Sequence, residues 1–310
     1  MFLGDCSQVY WRAGNLHLNC YPKLSYAMKK ILVPCDFSTP AMNAFRFAMD
    51  IAAQSKGEIY LLHVIELPVL HDTALMPVLS FEAELLKELK EKAEASFSRI
   101  TAEYGLKGVK VVSEVVFGSV YRQLLDFVKT EKFDLIVMGS HGASGIREMV
   151  VGSNAEKVVR NSTVPVLVVK DYSKCTIKNI VFPNTLDTEH QEDLTMKVKA
   201  LQSFFKAHLD IVWINTPLNF SSDTQTLKRL ESFATRYMLK DYSIHVFNHR
   251  DEETGILEFA KLVKGDIIAM ATHGRKGISH LLNGSLAEDV VNHTKRLVWT
   301  YSLKNEKVEA

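Results

Sequence analysis

The residues with the clearest chemical use are glycines. Gly139-Ser140-His141-Gly142 is followed after nine residues by Gly152-Ser153, and Ala271-Thr272-His273-Gly274 is followed at the same spacing by Gly284-Ser285. Each segment comes straight after a short apolar run (134–138, 266–270) that reads as a buried parallel strand, and precedes a run of helical character (155–159, 287–291). A strand, a glycine loop and a helix in that order make an anion site. The first turn of a helix leaves backbone N–H groups unpaired and carries a partial positive charge. Gly142 and Gly152 let the backbone approach a phosphate and take up positive φ where needed. Ser153 is expected as the N-cap, its hydroxyl capping the helix or bonding a phosphate oxygen. Taken singly, such a loop is as readily an ordinary tight turn, since short glycine patterns recur by chance.

The elements that must position these loops repeat as well. The offset is 132 residues between Gly142 and Gly274, between Gly152 and Gly284 and between Glu156 and Glu288. A whole folding unit is therefore duplicated, and so long a period means two domains rather than a solenoid. In the first copy, residues 31–34 read as a strand ended by Asp36, and Ser38 or Thr39 opens a helix with Pro40 at its first position. That helix, 41–54, carries Phe45, Ala48, Ile51 and Ala52 on one side. Strands follow at 59–65, 109–116, 134–138 and 166–169, with a long charged helix at 85–104 and another at 120–130. Strands alternating with helices give a parallel sheet covered on both faces. Ligands of such sheets bind beyond the carboxyl ends of the strands, where the strand order reverses. With the first and fourth strands adjacent, Asp36, Val64 and the glycine loop converge on one crevice.

The pattern G-x2-G-x9-G-S after a strand, an Asp just past the first strand and His63-Val64-Ile65 in the second resemble the universal stress protein family. The resemblance covers residues 28–302 as two tandem copies. It implies an α/β fold of two tandem open parallel five-stranded sheets, Rossmann-like and adenine nucleotide alpha hydrolase-like, with strand order 3-2-1-4-5 and helices on both faces. It also implies ATP in the crevice, with or without Mg2+. Carried over residue by residue, Asp36 and Val64 contact the adenine and Gly139 lies by the ribose. Gly142, Gly152 and Ser153 hold the phosphates, with the backbone N–H of Asn154 in reach. Without a ligand, Asp36 reads as a turn or capping carboxylate and Val64 as a buried strand residue.

The second copy departs from this pattern. Thr185 stands where Asp36 does, Ile214 where Val64 does, and Ala271 replaces the first glycine. A methyl group at 271 crowds a ribose, and loss of the carboxylate removes a contact of about 1–3 kcal/mol. Only the first half is therefore expected to bind nucleotide well, although Gly274, Gly284 and Ser285 retain the means to hold phosphate. The first copy is also the longer between its first strand and its glycine loop. The extra residues fall in 68–92, where 71–77 reads as a loop, either an ordinary excursion or a flap. The domains expected are 28–172, nucleotide-binding, and 173–304, degenerate. Residues 1–27 fit neither copy and read as a disordered extension or a start-site artefact, and 305–310 as a polar tail.

Composition narrows the classes of function. A net charge of +1 over 310 residues argues against strong affinity for nucleic acid or anionic membranes, and no apolar run is long enough to span a bilayer. A cytoplasmic location is expected. Four cysteines without paired spacing suggest neither disulfides nor a metal site. There is no G-x4-G-K-[ST] loop. His141 and His273 occupy matching positions, yet a His beside a glycine turn more commonly packs or hydrogen-bonds than catalyses, and no catalytic residue is assigned. The expected function is an ATP-binding regulatory protein of the stress response. The alternatives are a nucleotide-independent interaction module, and a slow ATPase or nucleotidyl-transferring enzyme, whose turnover requires an oriented water or base beyond phosphate donors. The expected partners are adenine nucleotide and proteins, with the last strands of the two domains pairing inside one molecule and a homodimer as a further option.

Overall fold

In the computed structural model, residues 28–66, 79–142, 152–172, 175–186, 191–273 and 286–303 are described. The extension 1–27, the segment 71–77, the stretch 143–151 between the first half's glycines, the glycines Gly274 and Gly284 with Ser285, and the tail lie outside them.

The first half runs β1 (Lys30–Pro34), α1 (Thr39–Ser55), β2 (Glu58–Ile65), α2 (Leu79–Tyr104), β3 (Lys110–Phe117), α3 (Val120–Thr130), β4 (Leu135–Gly139), α4 (Ser153–Asn161) and β5 (Val166–Val169). The second runs β6 (Asn179–Pro183), α5 (Gln191–Phe205), β7 (His208–Asn215), α6 (Asp223–Arg236), β8 (Tyr242–Asn248), α7 (Glu252–Leu262), β9 (Ile267–His273), α8 (Leu286–His293) and β10 (Leu297–Leu303). The inner strands are apolar on both faces, as a sheet covered twice requires: Ile31, Leu32 and Val33 of β1 are all fully buried. The α1 helix starts where its sequence says. Ser38 caps it, accepting the Ala41 N–H at 3.4 Å, Pro40 fills the first turn, and Phe45, Ala48, Ile51 and Ala52 are buried.

The strand order is β3-β2-β1-β4-β5-β10-β9-β6-β7-β8, so each half has the order 3-2-1-4-5. The two five-stranded sheets are not separate, however. The last strands β5 and β10 pair antiparallel through Val168–Val298 and Val166–Thr300, making one ten-stranded sheet. Backbone pairing thus covers the edge that each half presents at its fifth strand. Because every other pairing is parallel, the carboxyl ends of the two halves point to opposite edges of the sheet. One core layer joins α1, α2, α5 and α6 to the sheet, and the other joins α3, α4, α7 and α8.

Two further contacts fix the halves. On the second face, the Arg160 guanidinium of α4 grips Glu288 of α8 with both Nε, at 2.6 Å, and Nη2, and also reaches Glu156 at 3.3 Å. Glu288 is only 4% exposed. At the amino ends of the strands, Asp134 Oδ2 accepts the N–H groups of Lys29 and Lys30, and Asp266 Oδ2 those of Lys178 and Asn179, the same clamp in each copy. The extra length of the first half goes in large part into a helix, since α2 has 26 residues and α6 has 14.

Candidate functional site

The crevice arises from unequal strand lengths. The β1–β2 ladder ends at Pro34–Leu62, and the Cys35 N–H still reaches the Leu62 carbonyl at 2.9 Å, but β2 continues to Ile65. On the other side β1 pairs with β4 only through Ile31 and Leu32, while β4 runs on to Gly139. The chain therefore leaves the sheet at Asp36 between two strands that go further, where β2 and β4 flank β1 and the order reverses.

The turn that releases the chain is built by side chains. Asp36 Oδ1 accepts the Ser38 N–H at 3.0 Å and Phe37 is left-handed at φ 63°. The Phe37 ring sits 4.8 Å from His63 and 5.1 Å from Phe97, and His63 Nδ1 bonds the Cys35 carbonyl at 2.7 Å. His63, legible in the sequence only as part of a strand, therefore holds this turn in place. Burial pushes the neighbouring Cys35 thiol up to about 12, which removes it as a nucleophile.

Asp36 is exposed, and its Oδ2 lies 2.6 Å from where a Cβ on residue 142 would stand. A side chain at 142 would have to push this carboxylate aside. At Gly152 a Cβ would lie 3.4 Å from His141 Cα and 3.7 Å from Gly142 N, and the Gly152 N–H donates to Ser140 O at 2.8 Å. The two ends of the glycine loop are thus pinned together beside Asp36. Gly152 has φ −64°, and neither it nor Gly142 is left-handed, so their use is close approach rather than unusual backbone. Gly139 serves a different contact. A Cβ there would meet the Pro40 carbonyl carbon at 2.7 Å, so this glycine lets α1 lie on the end of β4.

Ser153 is not the N-cap. Gly152 takes that position in extended geometry, and Ser153 is the first residue of α4, exposed. The first helical bond runs from Glu156 N–H to Gly152 O, and among the described residues no side-chain cap is made at this end. The N–H groups of Ser153, Asn154 and Ala155 thus precede the helical ladder, beside Gly142 and Asp36. Val64 lies near the end of β2, half-buried and paired with Val116. His141 Nδ1 is 2.9 Å from Ser140 Oγ, a contact within the loop itself. Among the described residues no group of three or more His, Cys, Asp or Glu is placed to hold a metal ion, and no helix is long and apolar enough to cross a membrane.

The second crevice differs where the sequence does. Leu186 is left-handed at φ 53° like Phe37, but the side chain that closes the turn is Asn184, whose Oδ1 accepts the Leu186 N–H at 2.7 Å. Asn184 is buried and stands at the position of Cys35, while the exposed Thr185 at the position of Asp36 carries no charge.

Comparison with known proteins accords with this geometry. Universal stress proteins MJ0531 and MJ0577 of Methanocaldococcus jannaschii are each 33% identical to the chain, over 47% of it and over 84% and 98% of their own lengths. A universal stress protein of Archaeoglobus fulgidus shares the fold across both halves, with TM-score 0.67 and 18% identity over 91% of this chain and 99% of that one. The model of the universal stress protein family matches residues 28–170 and again 222–301. With the glycine pattern, the 3-2-1-4-5 order in both halves and these matches in agreement, the chain belongs to the universal stress protein family.

Proposed function

We propose that the protein is an ATP-binding regulator of the stress response in which the first half, residues 28–172, holds the nucleotide and the second, 173–304, is a degenerate copy. The observation that carries this reading is the meeting of Asp36, Gly142 and Gly152 at the start of α4. There an exposed carboxylate, a side-chain-free backbone and the first N–H groups of a helix share one crevice. The parts match the parts of the ligand. The carboxylate accepts from an amino group, as on the adenine ring, and the apolar end of β2 at Val64 lies along the base. The N–H groups of Gly142, Ser153 and Asn154 face the phosphates, Gly152, whose own N–H is taken by the Ser140 carbonyl, lets them approach by lacking a side chain, and Gly139 by the ribose keeps α1 close. Mg2+ would offset phosphate charge that these neutral donors leave.

The second half lacks the carboxylate at Thr185 and carries Ala271 where the first has Gly139. Binding there is weaker in this reading, and the role of the second half is to complete the sheet. Location in the cytoplasm and signalling by contact with other proteins belong to the same reading.

Thermal unfolding in the presence of Mg2+ tests it. A ligand that binds only the native state raises stability by RT ln(1 + [L]/Kd), about 2.7 kcal/mol at a hundredfold excess over Kd. The midpoint should climb with the logarithm of ATP concentration in the wild type. A midpoint indifferent to ATP up to millimolar levels would remove the proposal and leave a nucleotide-independent module.

A further inference from the structure

We propose that Lys170 is the charge partner of the nucleotide's phosphate tail in the first half, and that the second half of the chain holds it in position. The assignment rests on the nucleotide reading above. Lys170 follows the last residue of β5, and the Val169 carbonyl accepts the Ser140 N–H at 3.2 Å, so the lysine leaves the sheet beside the glycine segment. Val168 faces the layer of α4 and α8 and Val169 the layer of α1. By alternation Lys170 returns to the α4 side, where its Nζ donates to Asn292 O in the last turn of α8 at 2.6 Å.

Asn292 and Glu156 border the same small gap, and Glu156 belongs to the first turn of α4. The ammonium therefore lies on the side of the sheet that carries the first turn of α4. Lys170 is half-buried, and burial lowers its pKa, so the cation is poorly solvated and gains from a nearby anion. An ammonium has three donors, and one of them serves Asn292.

Comparison of the halves isolates this residue. Val169 pairs with Gly139 and Tyr301 with Ala271, so Ser302 stands where Lys170 does. Ser302 Oγ donates to the Arg160 carbonyl at 3.5 Å, and Arg160 in α4 is the counterpart of Asn292 in α8. The two contacts are one contact repeated by the symmetry of the fold. A neutral donor suffices for it in the second half, whereas the first half uses a cation. The charge accompanies the half that also keeps Asp36 and Gly139.

The test is calorimetric titration of the full chain with ATP and with AMP, comparing the wild type with Lys170→Gln, which keeps a donor for Asn292 and removes the charge. ATP affinity should fall about tenfold while AMP affinity stays within about twofold, and Lys170→Arg should keep the wild-type preference for ATP. Equal weakening of ATP and AMP, or of neither, would overturn the assignment and leave Lys170 as a cap of α8. Should Lys170→Gln fail to fold, the lysine side-chain 15N resonances of the wild type decide. ATP but not AMP should move the Lys170 signal, and a signal indifferent to ATP would overturn the assignment. A wild type that binds neither nucleotide would instead overturn the nucleotide reading itself.

Discussion

Arg160→Met is the perturbation that weighs the seam between the halves. The Glu288 side chain is 4% exposed, and Arg160 supplies it with two charged donors, so removing the arginine strands a buried carboxylate. Breaking a buried ion pair from one side costs about 3–5 kcal/mol. The reverse change is milder. Arg160 is 34% exposed and keeps Glu156 at 3.3 Å, so Glu288→Gln should cost about 1–2 kcal/mol, the loss of one charged hydrogen-bonding partner. The double substitution removes both charges and should cost less than the sum of the singles, with a coupling of about 2 kcal/mol or more, since it leaves no buried charge without its partner. Urea unfolding followed by circular dichroism at pH 7 measures all three. The reasoning fails if Arg160→Met costs under about 1 kcal/mol, or if the two single effects simply add.

Other contacts make equally direct predictions. Gly139→Ala places a methyl 2.7 Å from the Pro40 carbonyl carbon and should destabilise by about 1–3 kcal/mol in the same unfolding assay, whether or not nucleotide is present. Asp251 caps α7, its Oδ1 accepting the Thr254 N–H at 2.8 Å, and that bond holds its carboxyl below the ordinary value of 3.8. A lowered native pKa means that the stabilisation is complete above 3.8 and lost as pH falls through the native value. Asp251→Ala should therefore cost about 1 kcal/mol at pH 7, and the gap between variant and wild type should close on acidification towards pH 2. A constant gap across that range would refute the capping account.

Much of the fold is legible because its signals are local. Ser38 and Pro40 announce α1, and the 132-residue offset announces the duplication before any strand is placed. The site residues Asp36, Gly142, Gly152 and the start of α4 are brought together as their spacing implies. What escaped the sequence depends on tertiary contact. The preference of serine for N-caps points to Ser153, but the Ser140 carbonyl holds Gly152 in the extended geometry of a cap, so the helix begins one residue earlier than that preference implies. The replacement of Gly139 by Ala271 suggests a crowded ribose, whereas the space at Gly139 is filled by Pro40, a neighbour only through the β1–β4 pairing. The Arg160–Glu288 pair depends on tertiary contact too. Glu156 and Glu288 stand at one repeat position, and Arg160 matches Asn292 there, so an unbalanced charge at a symmetric seam was the available signal. The joining of two sheets into one was readable as an outcome for β5 and β10, because each is the last strand of its half with an edge to cover.

The central claim is one nucleotide per chain, held in the first half. Calorimetric titration with ATP and Mg2+ of the wild type, Gly142→Val and Gly274→Val tests it most directly. At Gly142 even a Cβ would lie 2.6 Å from Asp36 Oδ2, so a valine must displace the carboxylate and block the backbone. The account predicts saturation near one ATP per chain, abolished by Gly142→Val and retained by Gly274→Val. Two equivalent sites, or binding that survives Gly142→Val and is lost with Gly274→Val, would contradict it.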